Sequence, residues 1–255
     1  MWLLRPANRR TADADLWLGA STALVAGLVN VCSVMIFFAF SANVTGHMAT
    51  FAEEIIKGHW HQVSVVLAWM LMFVFGAFLA GLSVTALAPR SPRLAHAAPI
   101  ALQALLLGAV GYYGQHHYLE TLRETELLVG ALLFSMGLQN GTVTSVSNAA
   151  VRTTHLTGLF TDLACGLAMF LQPRRRADAK LRERLRLHCA ILAGYTAGGL
   201  AGGFACDAVG FRAFYLAVAL LTAILVHDAI ALWLDLQERA RRPERTASVR
   251  PQRLP

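Results

Sequence analysis

The chain has 255 residues, 56% of them hydrophobic and only 15% charged, with a mean hydropathy of +0.51. These values lie outside the soluble range and indicate an integral membrane protein in a lipid bilayer, at a length that suits one bundle of about six spans. A net charge of +7 would suit nucleic acid, but the basic residues sit in loops beside apolar segments, where membrane topology selects them; no nucleic-acid partner is expected.

Residues 1–14 read as a tail on the cytoplasmic side. Met1-Trp2-Leu3-Leu4-Arg5 lacks the basic-then-apolar order of a cleaved signal peptide, so the first span is expected to serve as an uncleaved anchor. Apolar stretches follow at residues 17–40, 63–88, 95–113, 127–149, 187–206 and 213–236, each long enough to cross a bilayer. None alternates as a barrel strand would, which leaves an all-α polytopic bundle of six transmembrane helices over residues 15–236. Residues 237–255 form a basic, Pro-containing tail expected to be disordered.

Four segments hold 18 of the 22 Lys and Arg residues: the N-terminal tail, the link with Arg90 and Arg93, the link running from Arg174 to Arg186, and the C-terminal tail. With six spans all four fall on one side, so both termini are expected in the cytoplasm. Trp17 and Trp233 then flank inner ends, and Trp60, Tyr112, Tyr113 and Tyr118 flank outer ends, as interfacial anchors do.

A short phrase occurs twice. Gly27-Leu28-Val29-Asn30 precedes Val44-Thr45-Gly46, and Gly137-Leu138-Gln139-Asn140 precedes Leu156-Thr157-Gly158. The offset drifts from 110 to 112 residues between the two parts, and these residue types are common enough in apolar helices for chance to compete. Read as duplication, the phrase divides the domain into halves 15–113 and 127–236 of opposite orientation, a 3+3 inverted repeat of the kind found in secondary transporters. Each Thr-Gly pair opens a short segment, at residues 45–58 and 157–172, with Thr45 and Thr157 as expected N-caps. The second segment either lies in the interface or re-enters the membrane.

Several polar residues stand in or beside the spans. Asn30, Asn140 and Gln139 each need a partner, either a neighbouring helix or a polar cavity that accepts substrate. Helix starts at Thr45-Gly46 and Thr157-Gly158 would present free N–H groups to a substrate, with Arg152, beside Thr153, Thr154 and His155, adding cationic density; the alternative is an interfacial cap with Arg152 reaching headgroups. His227 and Asp228 stand inside the sixth span as candidates for proton coupling, or for bonding another helix; adjacent residues point differently around a helix and need not pair. His47, His59, His61, His116 and His117 map to outer loops and read as solvated, with no metal-ligand pattern. Cys32, Cys165, Cys189 and Cys206 likewise lack metal spacing and read as structural thiols. Gly194, Gly198 and Gly202 share one helix stripe, with a weaker counterpart at Gly76 and Ala80; both indicate close helix packing.

The stretch from Gly27 to Gly46, and more closely that from Met136-Gly137-Leu138-Gln139-Asn140 through Arg152-Thr153-Thr154-His155-Leu156-Thr157-Gly158, resembles the two signatures of the YoaK-like family of bacterial multi-pass membrane proteins of unknown function. The chain departs from that pattern at Asn30, where the family usually has Asp, and at His47, where it has Asn. If the acidic position carries protons in relatives, this chain either differs from them or relies on Asp228. The resemblance implies a six-span inner-membrane protein and supplies no reaction. Together these features lead to the expectation of a small transporter or permease for an unknown small polar molecule, working as one bundle or a homodimer, without a cofactor. An assembly or stress protein is the alternative. An enzyme is disfavoured, because no HExxH motif, paired intramembrane carboxylates or Ser/His nucleophile arrangement occurs.

Overall fold

The computed structural model describes residues 11–240, which are helical with short links and contain no strand. Eight helices follow in order: α1 (Ala12–Phe37), α2 (Val44–Lys57), α3 (Trp60–Leu87), α4 (Pro92–His116), α5 (Leu122–Val146), α6 (Leu156–Phe170), α7 (Ala179–Val209) and α8 (Phe214–Ala240). The basic tail expected over 237–255 lies almost wholly outside the described residues, as do residues 1–10 of the N-terminal tail.

Several helices begin before their apolar stretch does, and local capping explains where. Thr11 caps α1 by accepting from Ala14 N–H, and Asp13 and Asp15 sit in the first turn, where the helix dipole favours acids. Thr121 and Glu124 form a reciprocal capping box that starts α5 at Leu122 rather than near residue 127. Asp178 caps α7 so that it starts at Ala179, eight residues ahead of the expected start at 187, adding about two charged turns that extend the helix beyond its apolar part. Five helical runs are long and apolar enough to cross a membrane; the last, Ala179–Leu234, holds α7 and most of α8, joined by a 3-10 turn at Gly210–Ala213 where Gly210 has φ +58°.

Two parallel helix pairs form the centre: α1 with α7, and α3 with α5. Both are crossings in which glycine lets one backbone touch the other. A Cβ on Gly198 would strike the Leu24 carbonyl oxygen, one on Gly194 would lie 2.5 Å from the Ala20 oxygen, and one on Gly202 would lie 2.8 Å from the Leu28 oxygen. In the other pair, a Cβ on Gly76 would strike the Phe134 oxygen, and one on Gly137 the Phe73 oxygen. The stripe read from sequence is thus taken up inside the chain, between the halves. The core around these pairs contains Leu18, Leu28, Leu132, Leu133, Met136 and Ile191, all fully buried. The helix exteriors, by contrast, are strongly apolar and exposed, with Leu71, Val74, Phe75 and Phe78 on α3 and Phe204 on α7 as examples.

Tyr118 differs from the expected interfacial anchor: its ring packs edge-on against Phe37 and Phe211, 5.8 and 5.2 Å away. Trp17, Trp60, Tyr112 and Trp233 are exposed, as interfacial side chains should be. His47 is buried rather than solvated, because one ring nitrogen lies 2.7 Å from the Phe40 carbonyl oxygen and the ring packs on Trp69.

The crossings predict a sharp contrast between glycines. Gly198→Ala should lower stability in detergent by about 1–3 kcal/mol, because rigid backbone leaves the new methyl no room. Gly81→Ala meets nothing within 4 Å on the same helix as Gly76 and should be neutral or stabilising by about 0.5–1 kcal/mol. Thermal unfolding of the two variants by scanning fluorimetry checks the pair; equal behaviour would refute the packing account.

Candidate functional site

The site begins where α1 ends. Phe38 turns the chain with φ +54°, Ser33 Oγ donates to the Ala39 carbonyl at 2.7 Å, and the chain doubles back along α1. Asn30 holds that return: its Oδ1 accepts the N–H groups of Ser41 and Ala42 at 3.0 and 3.1 Å, and its Nδ2 donates to Tyr195 Oη at 2.9 Å. Two backbone donors with no helical partner are thereby satisfied in an apolar setting. As a result α2 does not start at the end of the bundle. It starts beside Asn30, about two turns short of the end of α1.

The second half repeats the manoeuvre by different chemistry. After α5, Asn148 and Ala149 both take positive φ, Ser147 Oγ accepts Val151 N–H at 3.0 Å, and the chain turns back. Asn140 Oδ1 accepts from Thr154 Oγ1 at 3.0 Å, while its Nδ2 donates to the Met136 carbonyl one turn earlier. So α6 also begins deep within the bundle.

The helix caps correct the sequence reading. The N-caps are Asn43 and His155, two residues ahead of Thr45 and Thr157, which sit inside the first turn. The glycines of the two phrases serve these caps: a Cβ on Gly46 would lie 2.8 Å from Asn43 Nδ2, and one on Gly158 2.8 Å from His155 Cε1. Asn43 Oδ1 accepts Gly46 N–H at 3.0 Å, whereas no side chain caps α6. The first N–H groups of α6 remain open to a partner.

Both helix starts face one cavity of about 420 Å³. Its polar lining comes from both halves: Asn30, Asn43 and Thr45 from the first; Thr154, His155, Thr157 and Tyr195 from the second. No Asp, Glu, Lys or Arg lines it. Phe73 and Tyr195 on its wall stand near the midpoints of α3 and α7, so the cavity lies midway along the bundle. A larger vestibule of about 690 Å³ shares His155 with it and contains Arg152, Gly158, Asp162, Lys180 and His188.

The residues singled out from sequence therefore separate. Asn30, Thr45 and Thr157 meet at the central cavity, and Arg152 and Gly158 line the vestibule. Gly46 supports the Asn43 cap rather than the lining. Gln139 is fully buried between helices: its Nε2 donates to the Thr22 carbonyl at 2.8 Å, and its Oε1 accepts from Gln103 Nε2 at 2.8 Å. Asn140 acts on the cavity through Thr154, and Thr153 is buried beside it. His227 and Asp228 lie apart, in α8, and do approach each other, with Nδ1 3.3 Å from Oδ1; Asp228 is buried and His227 half-exposed. Sequence reasoning missed Tyr195, whose position within a glycine-rich stretch read only as packing, and Phe73, which carried no signal.

The apolar helical bundle and its exposed hydrophobic exterior define an integral, multi-pass helical membrane protein. The chain belongs to a family described as protein of unknown function, DUF1275, whose model matches residues 18–227. No curated protein and no solved structure matches it.

The two Asn latches should differ in weight. Asn30→Ala strands two backbone donors at about 1–3 kcal/mol each, whereas Asn140→Ala frees one hydroxyl that can turn elsewhere, for about 1 kcal/mol. Thermal unfolding in detergent should rank Asn30→Ala below Asn140→Ala, and the reverse order would show that the α1–α2 return is held some other way.

Proposed function

We propose that the protein is a small secondary transporter or permease of the bacterial inner membrane for a small polar molecule, with six spans, a 3+3 inverted repeat and both termini cytoplasmic. The observation that carries this reading is the convergence of two short helices, one from each half, on a single polar cavity midway along the bundle. Broken helices whose N-termini face a midplane site at a repeat interface are how many transporters hold substrate. A volume of about 420 Å³ suits a small molecule.

The repeat draws support from the crossings. A step of 110 residues carries Leu24, Gly27 and Val31 of α1 onto Phe134, Gly137 and Gly141 of α5. A step of 122 carries Phe73, Gly76 and Ala77 of α3 onto Tyr195, Gly198 and Gly199 of α7. Under those two steps the Gly27–Tyr195 contact becomes Gly137–Phe73, Gly198–Leu24 becomes Gly76–Phe134, and Gly199–Val31 becomes Ala77–Gly141. Asn30 and Asn140 are related by the first step, and each secures the return that follows its helix. Six crossings follow from dividing the 56-residue run Ala179–Leu234 at its 3-10 turn, since a single helix of that length would reach ~84 Å, far beyond a ~30 Å hydrocarbon core. The basic links set the orientation.

In this scheme Asn30, Thr45, Thr157 and Tyr195 contact substrate, and Asn140 positions Thr154. Asp228, a buried carboxylate within a span with His227 beside it, carries the coupling proton.

A metabolite-uptake screen on a deletion strain, followed by uptake into proteoliposomes, tests the scheme. Thr45→Val and Thr157→Val should each reduce uptake at least tenfold at normal protein levels. Asp228→Asn should remove the dependence on an imposed proton gradient, and Gly81→Ala should behave as wild type. Unchanged uptake in both Thr variants would discard the cavity as the substrate path.

A further inference from the structure

The wall built by α3, α4 and α5 carries a groove of about 650 Å³, separate from the central cavity and the vestibule. Small residues open it: Ala68 on α3, and Gly130 and Ala131 on α5, leave space that larger side chains would fill. Trp69 forms the floor beside Gly130, where an added Cβ would lie 3.6 Å from the indole ring. Its Nε1 donates to the Glu126 carbonyl oxygen at 2.8 Å, so the floor is fixed and the groove is formed before any ligand arrives.

The two ends of the groove differ. Phe75 and Phe134, with ring centroids 5.7 Å apart, line the deep end. Arg123 and Glu126 line the mouth, near the start of α5, and are its charged groups among the described residues. Glu126 Oε1 lies 2.8 Å from His61 Nε2, which leaves Oε2 for a second donor, and Arg123 is exposed. From Arg123 to Phe134 is ~16 Å along the helix. The hydrocarbon core of a bilayer is ~30 Å thick, so the groove reaches from the headgroup level to about the midplane. A polar solute would gain nothing from its apolar walls. An apolar slot of that depth, with one cation and one anion at its mouth, matches one chain and the zwitterionic headgroup of a phospholipid.

We infer that this groove binds one phospholipid from the surrounding bilayer. An acyl chain lies along Trp69, Ala131 and Phe134, the headgroup phosphate meets Arg123, and a headgroup ammonium meets Glu126. On the orientation proposed above, this lipid belongs to the outer leaflet. The inference needs only the membrane character of the bundle and is independent of transport. Native mass spectrometry of the full-length protein in detergent tests it, with phosphatidylethanolamine and phosphatidylglycerol of equal chain length added in turn. Wild type should retain one phosphatidylethanolamine at least fivefold more strongly than phosphatidylglycerol. Ala68→Phe, at an exposed position, fills the groove and should lower that retention at least fivefold. Arg123→Gln should lower it at least threefold, and Leu71→Phe, on α3 outside the groove, should leave it as in wild type. None of the three should move the lipid-free unfolding temperature; if Ala68→Phe does, Arg123→Gln decides by itself. Preference for phosphatidylglycerol, no preference, retention unaltered by Ala68→Phe and Arg123→Gln, or equal loss in Leu71→Phe would overturn the inference. A lipid-free dimer that Ala68→Phe dissociates would also overturn it, in favour of a second copy of the chain.

Discussion

Backbone-to-backbone contact at glycine is the constraint on which the rest of this bundle depends. In a bilayer the hydrophobic effect does not draw helices together, so close approach and the dispersion it gains must do so. Gly194, Gly198 and Gly202 allow α7 to lie against α1, and Gly76, Gly137 and Gly141 allow α3 to lie against α5. Those pairs leave a gap on their common side. The returns after α1 and α5 enter that gap, and the polar cavity occupies what remains of it.

A return of this kind brings backbone N–H groups into a region where water cannot meet them, and the two halves solve the problem unequally. Asn30 supplies an acceptor to two of them and reaches Tyr195 with its other end. Asn140 secures only a hydroxyl, and α6 then starts at His155 with no side-chain cap. The first break thus has side-chain acceptors for more of its backbone donors than the second.

Much of the fold was legible because long apolar runs have little choice but to be helical in lipid. The starts of α5 and α7 were harder, since Thr121, Glu124 and Asp178 are polar residues that extend helices by capping rather than by hydrophobicity. The site was legible in part. Asn30, Thr45 and Thr157 were marked by repetition alone. What repetition could not reveal was the fold-back, which depends on a bond between Asn30 and residues 11 and 12 positions later. Gln139 and Asn140 could not be told apart by type either: a buried amide looks the same in sequence whether it ties helices, as Gln139 does to Thr22, or steadies a cavity wall. Tyr195 was hidden by its glycine neighbours.

The pairing of α1 with α7 has a consequence for biogenesis. These partners are separated by the 141 residues between Phe37 and Ala179, with α2 to α6 emerging in between. During synthesis the amide of Asn30 enters the bilayer long before the Tyr195 hydroxyl exists to meet it, and the glycine face of α7 arrives last but one. Until α7 is made, the Asn30 Nδ2 donor must be met by some other acceptor. The bundle closes late, from the C-terminal side, and a ribosome that stalls after α4 leaves both central pairs unmade.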